Sequence, residues 1–251
     1  SYSVYNGLIG LNSTLNNIRS VGIEPLGAYA STSDFNKTGG YTICDIQGIK
    51  VAFVAFTKGV GGMGLPAGSE NSVNLLYTDY DSNYKSVDKK GITSILNKVA
   101  AEKPDITVAM LHWGSVNSDE ISKTQTQIVE LMQKNDVDVI IGTHPHLLQK
   151  IELNEKTGKL VAYSLGDFYG DATLGGSNYS VILDIEITKD ADLKTTKVTN
   201  FSYIPIYTEK ESECDGFRRV VRIEPAMYAY ENNYVDKVTA DSYTAMQKAM
   251  K

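Results

Sequence analysis

Histidine is scarce in this chain, with three in 251 residues. Cysteine is scarcer: Cys44 sits in a strand-like run (YTICDIQ) and Cys214 in a polar stretch (ESECDG), a pattern that reads as two unpaired thiols rather than a disulfide framework. No stretch reaches the ~18 apolar residues of a membrane span, and no signal-peptide pattern is visible. Positive charge is not in excess. Lys and Arg number 24 against 30 Asp and Glu, for a net charge of -6, which argues against nucleic acid or an anionic membrane as the main partner. A polyanionic substrate stays open, because a bound metal ion can invert the local field. Neither a Gly-x-Ser-x-Gly elbow nor a Cys–His pairing is present, so nucleophilic hydrolase chemistry is excluded. The glycine-rich segment 58–69 lacks the Gly-Lys-Ser/Thr ending of a phosphate-binding loop, and no dinucleotide fingerprint occurs.

The 42% hydrophobic residues are enough for a real core. Residues 12–21 place Leu15, Ile18 and Val21 three apart before Gly22, which predicts an amphipathic helix with a glycine C-cap. Residues 41–46 and 51–56 predict a hairpin turning at Gln47-Gly48, its second strand fully buried. Segment 58–69 must be a loop, and 71–88, polar and rich in tyrosine, is expected to be irregular. Helices over 92–102 and 122–134 alternate with buried strands over 106–111, 137–141 and 160–164. Strands over 179–187 and 197–206 follow, then a tyrosine-rich tail from about 228 ending in a helix. Strand–helix–strand order implies parallel pairing with helices on the faces, and the later alternating strands imply antiparallel additions. The expected fold is a layered α/β sandwich with mixed sheets. The whole chain, 1–251, is read as one domain with a core over 3–206 and a C-terminal extension over 207–251.

All three histidines fall at strand ends. His112 closes the run ITVAML, and His144 and His146 follow VDVII in the segment GTHPH. In open α/β sheets the carboxyl ends of the strands are where ligands bind. Adjacent parallel strands lie about 5 Å apart, so three imidazoles can converge. Residues two apart in extended backbone point the same way, and Pro145 is expected to hold His144 extended. Gly142 and Gly114 would let a ligand or ion approach the backbone. Neutral imidazole is the commonest metal ligand.

Beyond this, the residues His112-Trp113-Gly114, Gln125, the run DVDVIIGTHPHLLQ and Tyr163-Ser164-Leu165-Gly166-Asp167-Phe168, in this order, resemble the CapA/PgsA capsule-synthesis proteins of the calcineurin-like metallophosphoesterase superfamily. The segment GLNSTL at 10–15 also resembles that family's first crossover helix, and the likeness covers residues 3–206. The resemblance implies a metallo-dependent phosphatase-like sandwich. It implies a site with two divalent ions (Mn, Zn or Fe) that clamp the attacking and leaving oxygens of a phosphoester. His112 and His144 would hold one ion and His146 the other. It also implies a role in making or exporting poly-γ-glutamate or a similar anionic polymer, beside other capsule-synthesis membrane proteins. The setting would be extracellular or at the cell surface, with anchoring through a segment absent here.

Related enzymes draw further ligands, among them an Asn-His pair, from an earlier part of the domain, and Ser1-Tyr2-Ser3 stand where that pair is expected. The chain is therefore read as truncated at the N-terminus, lacking a first βαβ, with an incomplete site that is empty or holds one loosely bound ion. A truncated sheet would expose an unpaired edge, a route to a homodimer.

Other residues keep two readings. Asp167 could accept from a histidine N–H and assist catalysis with His112 and His144, or be a turn residue. Trp113 could wall a substrate or fill the core. Gln125 could reach the site or face solvent. Lys58 and Gly114 could bind a carboxylate or phosphate, or be ordinary loop residues. Arg218-Arg219 could touch a polyanion or form a surface pair.

Overall fold

The computed structural model describes residues 4, 6–170, 175–190, 192–193, 195–210, 216, 218–234 and 238–250. Helices α1 (Gly7–Ser20) and α2 (Thr32–Thr38) precede a hairpin of β1 (Tyr41–Ile46) and β2 (Ile49–Thr57). Then come α3 (Lys89–Ala101), β3 (Ile106–His112), α4 (Lys123–Lys134), β4 (Val139–Thr143), β5 (Ile151–Asn154) and β6 (Lys159–Ala162). The chain closes with β7 (Tyr179–Asp190), β8 (Thr195–Glu209), β9 (Arg219–Arg222), α5 (Ile223–Glu231) and α6 (Ala240–Ala249).

One sheet runs β1-β2-β3-β4-β6-β5, and a second runs β7-β8-β9. Strands β2, β3, β4 and β6 are parallel, while β1 and β5 close the edges antiparallel. This is the mixed-sheet layered α/β sandwich expected. The parallel strands are apolar on both faces, which are largely covered, although Met110 of β3 stays 47% exposed. Ile92, Leu96 and Val99 of α3 and Ile128 and Met132 of α4 pack on one face, against Ala52, Val54, Ala109, Leu111 and Ile140. The other face, through Val51, Ile106, Val108, Val139 and Leu160, meets Leu183, Ile185, Val198 and Phe201 of the second sheet.

The local chemistry explains the boundaries. The hairpin turns at Gln47 (φ 55) and Gly48 (φ 81), the left-handed pair a two-residue loop needs, and Asp45 accepts the Gly48 N–H. Ser122 and Gln125 form a full capping box at the start of α4. Helix α1 starts earlier than its apolar spacing predicts. Its buried stripe is Leu11 and Leu15, whereas Val21 is 71% exposed. Its end is as predicted: the Gly22 and Ile23 N–H groups donate to Arg19 and Ile18 carbonyls, a Schellman closure. Four elements escape periodicity. Helix α2 has seven residues and buries none, marked only at its ends by the Ser31 cap on the Asp34 N–H and the left-handed Gly39; β5 and β9 have four residues each, and α5 buries only Ile223.

The tyrosine-rich tail is not loose. Ile223 of α5, Met246 of α6 and Val238 between the helices pack around Tyr207, with Tyr230 stacked on Tyr243 at 4.6 Å. Among the described residues no helix is long and apolar enough to cross a membrane.

Candidate functional site

Three parallel strands end in register. Thr57 of β2 pairs with His112 of β3, and His112 with Thr143 of β4. The His112 Nδ1 lies 3.3 Å from the Thr57 hydroxyl, and the His112 carbonyl accepts the Lys58 N–H at 2.7 Å. His144, one residue beyond β4, brings its ring to 4.3 Å from His112, centroid to centroid, and His146 lies 6.1 Å from His144. The three imidazoles thus gather over one lip of the sheet.

They do so by a route the residue spacing did not predict. His144 has φ 98 and His146 φ 64, so neither is extended and the alternation argument does not hold. Positive φ is uncommon for a residue with a side chain and is found where surrounding structure enforces it, often at functional sites. The turn is held by the Pro145 carbonyl, which accepts the Asn117 N–H at 2.8 Å.

The electrostatics separate the rings into a pair and a single. Burial, then neighbouring positive groups with Lys58 among them, lowers His112 to about 4. Burial, then His112 and Lys58, lowers His144 to about 3. Both are neutral imidazoles at pH 7, and the His144 Nε2 is buried without a hydrogen-bond partner in the structure. An orphaned buried nitrogen costs on the order of 1–3 kcal/mol unless something occupies its lone pair. His146 is different: its Nδ1 lies 2.9 Å from both Asp167 oxygens. An ionised carboxylate only accepts, so in this contact Nδ1 donates to Asp167. Asp167 reaches this position because the chain after β6 turns at Gly166 (φ +73), where a Cβ would lie 2.6 Å from the Tyr179 carbonyl. The turn-residue reading of Asp167 gives way to that of an acceptor for histidine.

Lys58 sits beside the imidazoles, half-buried, its Nζ donating to the Gly114 carbonyl at 2.7 Å and lying 4.6 Å from the Tyr84 ring centre. Burial lowers its pKa.

Several expected site residues are placed elsewhere. Trp113 is fully buried, its Nε1 donating to the Tyr163 carbonyl at 2.8 Å, so it is a core brace and walls no substrate. Gly142 exists for that brace rather than for a ligand: a Cβ there would lie 2.3 Å from the Trp113 Nε1 and 2.1 Å from the Tyr163 carbonyl. Gln125 is fully buried too, neither solvent-facing nor lining the site. Its Nε2 donates to Gln149 Oε1 at 2.9 Å, and Gln149 donates on to the Ser118 and Glu120 carbonyls. This amide relay ties the loop after His112 to the segment after His146. Gly114 (φ +73) faces the Gln125 amide, at 3.1 Å from a notional Cβ, so it too serves packing. Arg219 binds the buried Glu209 at 2.6 Å and Arg218 the Gly170 carbonyl at 3.0 Å, so both have structural tasks. Cys44 is a free thiol, and Cys214 lies outside the described residues. Thr57 and Thr143 flank His112 and were missed; equal strand ends were their only signal.

The donor set fits part of a metal site. Two neutral imidazoles, one with an orphaned nitrogen, are suited to a divalent ion. Yet among the described residues no three of His, Cys, Asp or Glu are placed to hold one. The bridging carboxylate of a two-metal centre is not supplied by the described residues.

Known proteins bear on these features. A phosphatase from Mycoplasma pneumoniae overlaps 69% of the chain and 59% of its own length, at 13% identity and a TM-score of 0.42. A calcineurin-like phosphoesterase from Bacillus subtilis overlaps 66% and 49%, at 16% identity and a TM-score of 0.33. Overlaps this partial say nothing of activity. Among curated proteins, the PGA biosynthesis protein CapA of Bacillus subtilis (strain 168) is 26% identical over 208 residues, which are 82% of this chain and 50% of that protein. The capsule biosynthesis protein CapA of Bacillus anthracis is 33% identical over 67 residues, 27% of this chain and 16% of that protein. The chain thus spans half the length, or less, of the curated relatives it matches. The family described as bacterial capsule synthesis protein PGA_cap matches residues 4–172, which include all three histidines and Asp167, and the chain belongs to that family.

Proposed function

We propose that this chain serves the synthesis or export of poly-γ-glutamate, or a similar anionic capsule polymer, at the cell surface, through the lip formed by His112, His144, His146 and Asp167. The observation that carries the reading is the neutral His112–His144 pair, 4.3 Å apart, with a buried nitrogen left unpartnered beside a lysine. His112 and His144 are the pair that would hold a divalent ion, with His146 beside them. When bound, such an ion polarises a phosphoester or amide and activates water. The chain's own part is to keep two imidazoles unprotonated, to orient His146 through Asp167, and to offer Lys58 to an anionic group. Other capsule-synthesis membrane proteins are the expected partners.

A non-catalytic reading, in which the lip only guides the polymer, is favoured by one observation: no three-ligand set exists among the described residues. Equilibrium dialysis against Mn or Zn, aryl-phosphate hydrolysis and retention on immobilised poly-γ-glutamate separate the readings. We expect one weakly held ion, lost in His144→Ala, and polymer retention that falls with salt. Retention without metal or hydrolysis supports the guiding role. Hydrolysis without retention makes the chain a generic phosphodiesterase, and absence of all three overturns the proposal.

A further inference from the structure

The Thr57 hydroxyl has one proton to give and two lone pairs. Its Oγ1 lies 3.1 Å from the Gly59 carbonyl oxygen and 3.3 Å from the His112 Nδ1. A carbonyl only accepts, so toward Gly59 the hydroxyl donates. Its single proton is then committed, and toward His112 it can only accept. The ring nitrogen that faces it must therefore be the donor, and His112 carries its proton on Nδ1. A neutral imidazole has one ring proton, so the lone pair of His112 lies on Nε2.

Each part of this contact is held in place. Thr57 pairs with His112 across β2 and β3. On its other side it bridges to Leu75: its N–H donates to the Asn74 carbonyl at 3.0 Å, and its own carbonyl accepts the Leu76 N–H at 2.9 Å. The end of β2 is thus fixed from both flanks. Gly59 packs so closely on the next loop that a Cβ there would lie 2.5 Å from the Tyr80 carbonyl oxygen. The β-branched threonine has few χ1 positions to choose from, which fixes the hydroxyl between the two groups.

The neighbours do not compete for the ring. Thr143, on the other flank of His112, directs its hydroxyl to the Leu111 carbonyl at 3.4 Å. The Lys58 ammonium donates to the Gly114 carbonyl at 2.7 Å. The chemistry of the partner also matters. A carboxylate in the place of Thr57 would favour a charged ring. A neutral hydroxyl selects a tautomer without drawing a second proton onto the imidazole.

We propose that Thr57 is a positioning residue of the lip: its hydroxyl holds His112 as the Nδ1–H tautomer and so reserves the Nε2 lone pair for a ligand. The step from tautomer to ligand rests on the metal-holding reading given above, whereas the tautomer itself does not. A partner on the outer nitrogen of a ligating histidine fixes the ring and changes metal affinity by about 10–100-fold.

Imidazole nitrogen chemical shifts of the whole metal-free chain test the tautomer directly, read at pH 8, where even an ordinary histidine is neutral. We expect His112 to show a protonated Nδ1 and an unprotonated Nε2. Thr57→Val keeps the side-chain shape and removes the hydroxyl, so its His112 should move toward the Nε2–H form. Thr57→Ser should keep the original pattern, and the His146 shifts should be the same in all three chains. A protonated Nε2 on His112 in the unaltered chain overturns the proposal without any variant. So does a Thr57→Val chain whose His112 tautomer is unchanged, or one in which His146 changes as much as His112, the mark of a general loosening. Equilibrium dialysis against Zn reads the consequence separately. Thr57→Val should weaken binding about tenfold or more, and Thr57→Ser should not. Equal affinity in a Thr57→Val chain with an altered tautomer overturns the step from tautomer to ligand. Absence of Zn binding in all three chains overturns the metal-holding reading of the lip and leaves the tautomer result standing.

Discussion

Burial depresses the pKa of both His112 and His144. Their depressed pKa values are a stability statement. Protonation is easier in the unfolded chain, where a histidine titrates near 6.5, than in the folded one, where these titrate at about 4 and about 3. The stabilising effect is fully present above the unfolded value and is lost as pH falls from about 6.5 toward 4. Urea midpoints should therefore drop between pH 7 and pH 4.5, and the drop should shrink in a His112→Gln, His144→Gln double variant. An unchanged drop would show that other groups govern acid unfolding. Gly142 offers a second residue-scale test. Its missing Cβ is the space used by the Trp113 Nε1 and the Tyr163 carbonyl. Gly142→Ala should cost about 1–3 kcal/mol in urea denaturation, the range for forcing a methyl into a filled core. A neutral result would mean that the Trp113 brace is dispensable.

At the level of elements, helix α4 couples a common capping device to the site. The Ser122–Gln125 box closes the helix start, and the same Gln125 amide continues to Gln149, three residues past His146. Ser122→Ala removes one cap and should cost about 1 kcal/mol. Gln125→Ala removes the cap partner and leaves the buried Gln149 carbonyl oxygen unsatisfied, so it should cost more, about 2–3 kcal/mol. The comparison of thermal midpoints checks the order; equal losses would show that the relay carries nothing beyond the cap. Elements of this kind are partly legible in sequence. Ser122 and Gln125 stand three apart before an apolar run, and the glycine after α1 marks its end correctly. Helix α2 is not legible, because seven residues that bury none leave no periodic trace.

On the scale of the whole molecule, the structure is a stack of helices, a six-stranded sheet and a three-stranded sheet, with α5 and α6 docked beside the second sheet. That docking makes the last ten-residue helix part of the fold. Met246 is fully buried against Tyr207 and Ile223. Met246→Ala should cost about 2–5 kcal/mol and be felt in a single cooperative transition. A small local change would show that α6 is an appendage.

By itself the sequence determined the alternation of buried strands and helices, the hairpin at Gln47-Gly48, and the placing of all three histidines at strand ends. These follow from local periodicity and turn chemistry, which neighbours in sequence suffice to specify. Only the tertiary structure decided which polar residues reach the site. Trp113 stands beside His112 in sequence and Gln125 on the helix that follows, yet both turn into the core, and Asp167 reaches His146 from the turn after β6. Burial and backbone twist make that choice: His144 and His146 meet His112 because both adopt left-handed backbone, which the surrounding fold imposes and no local pattern announces.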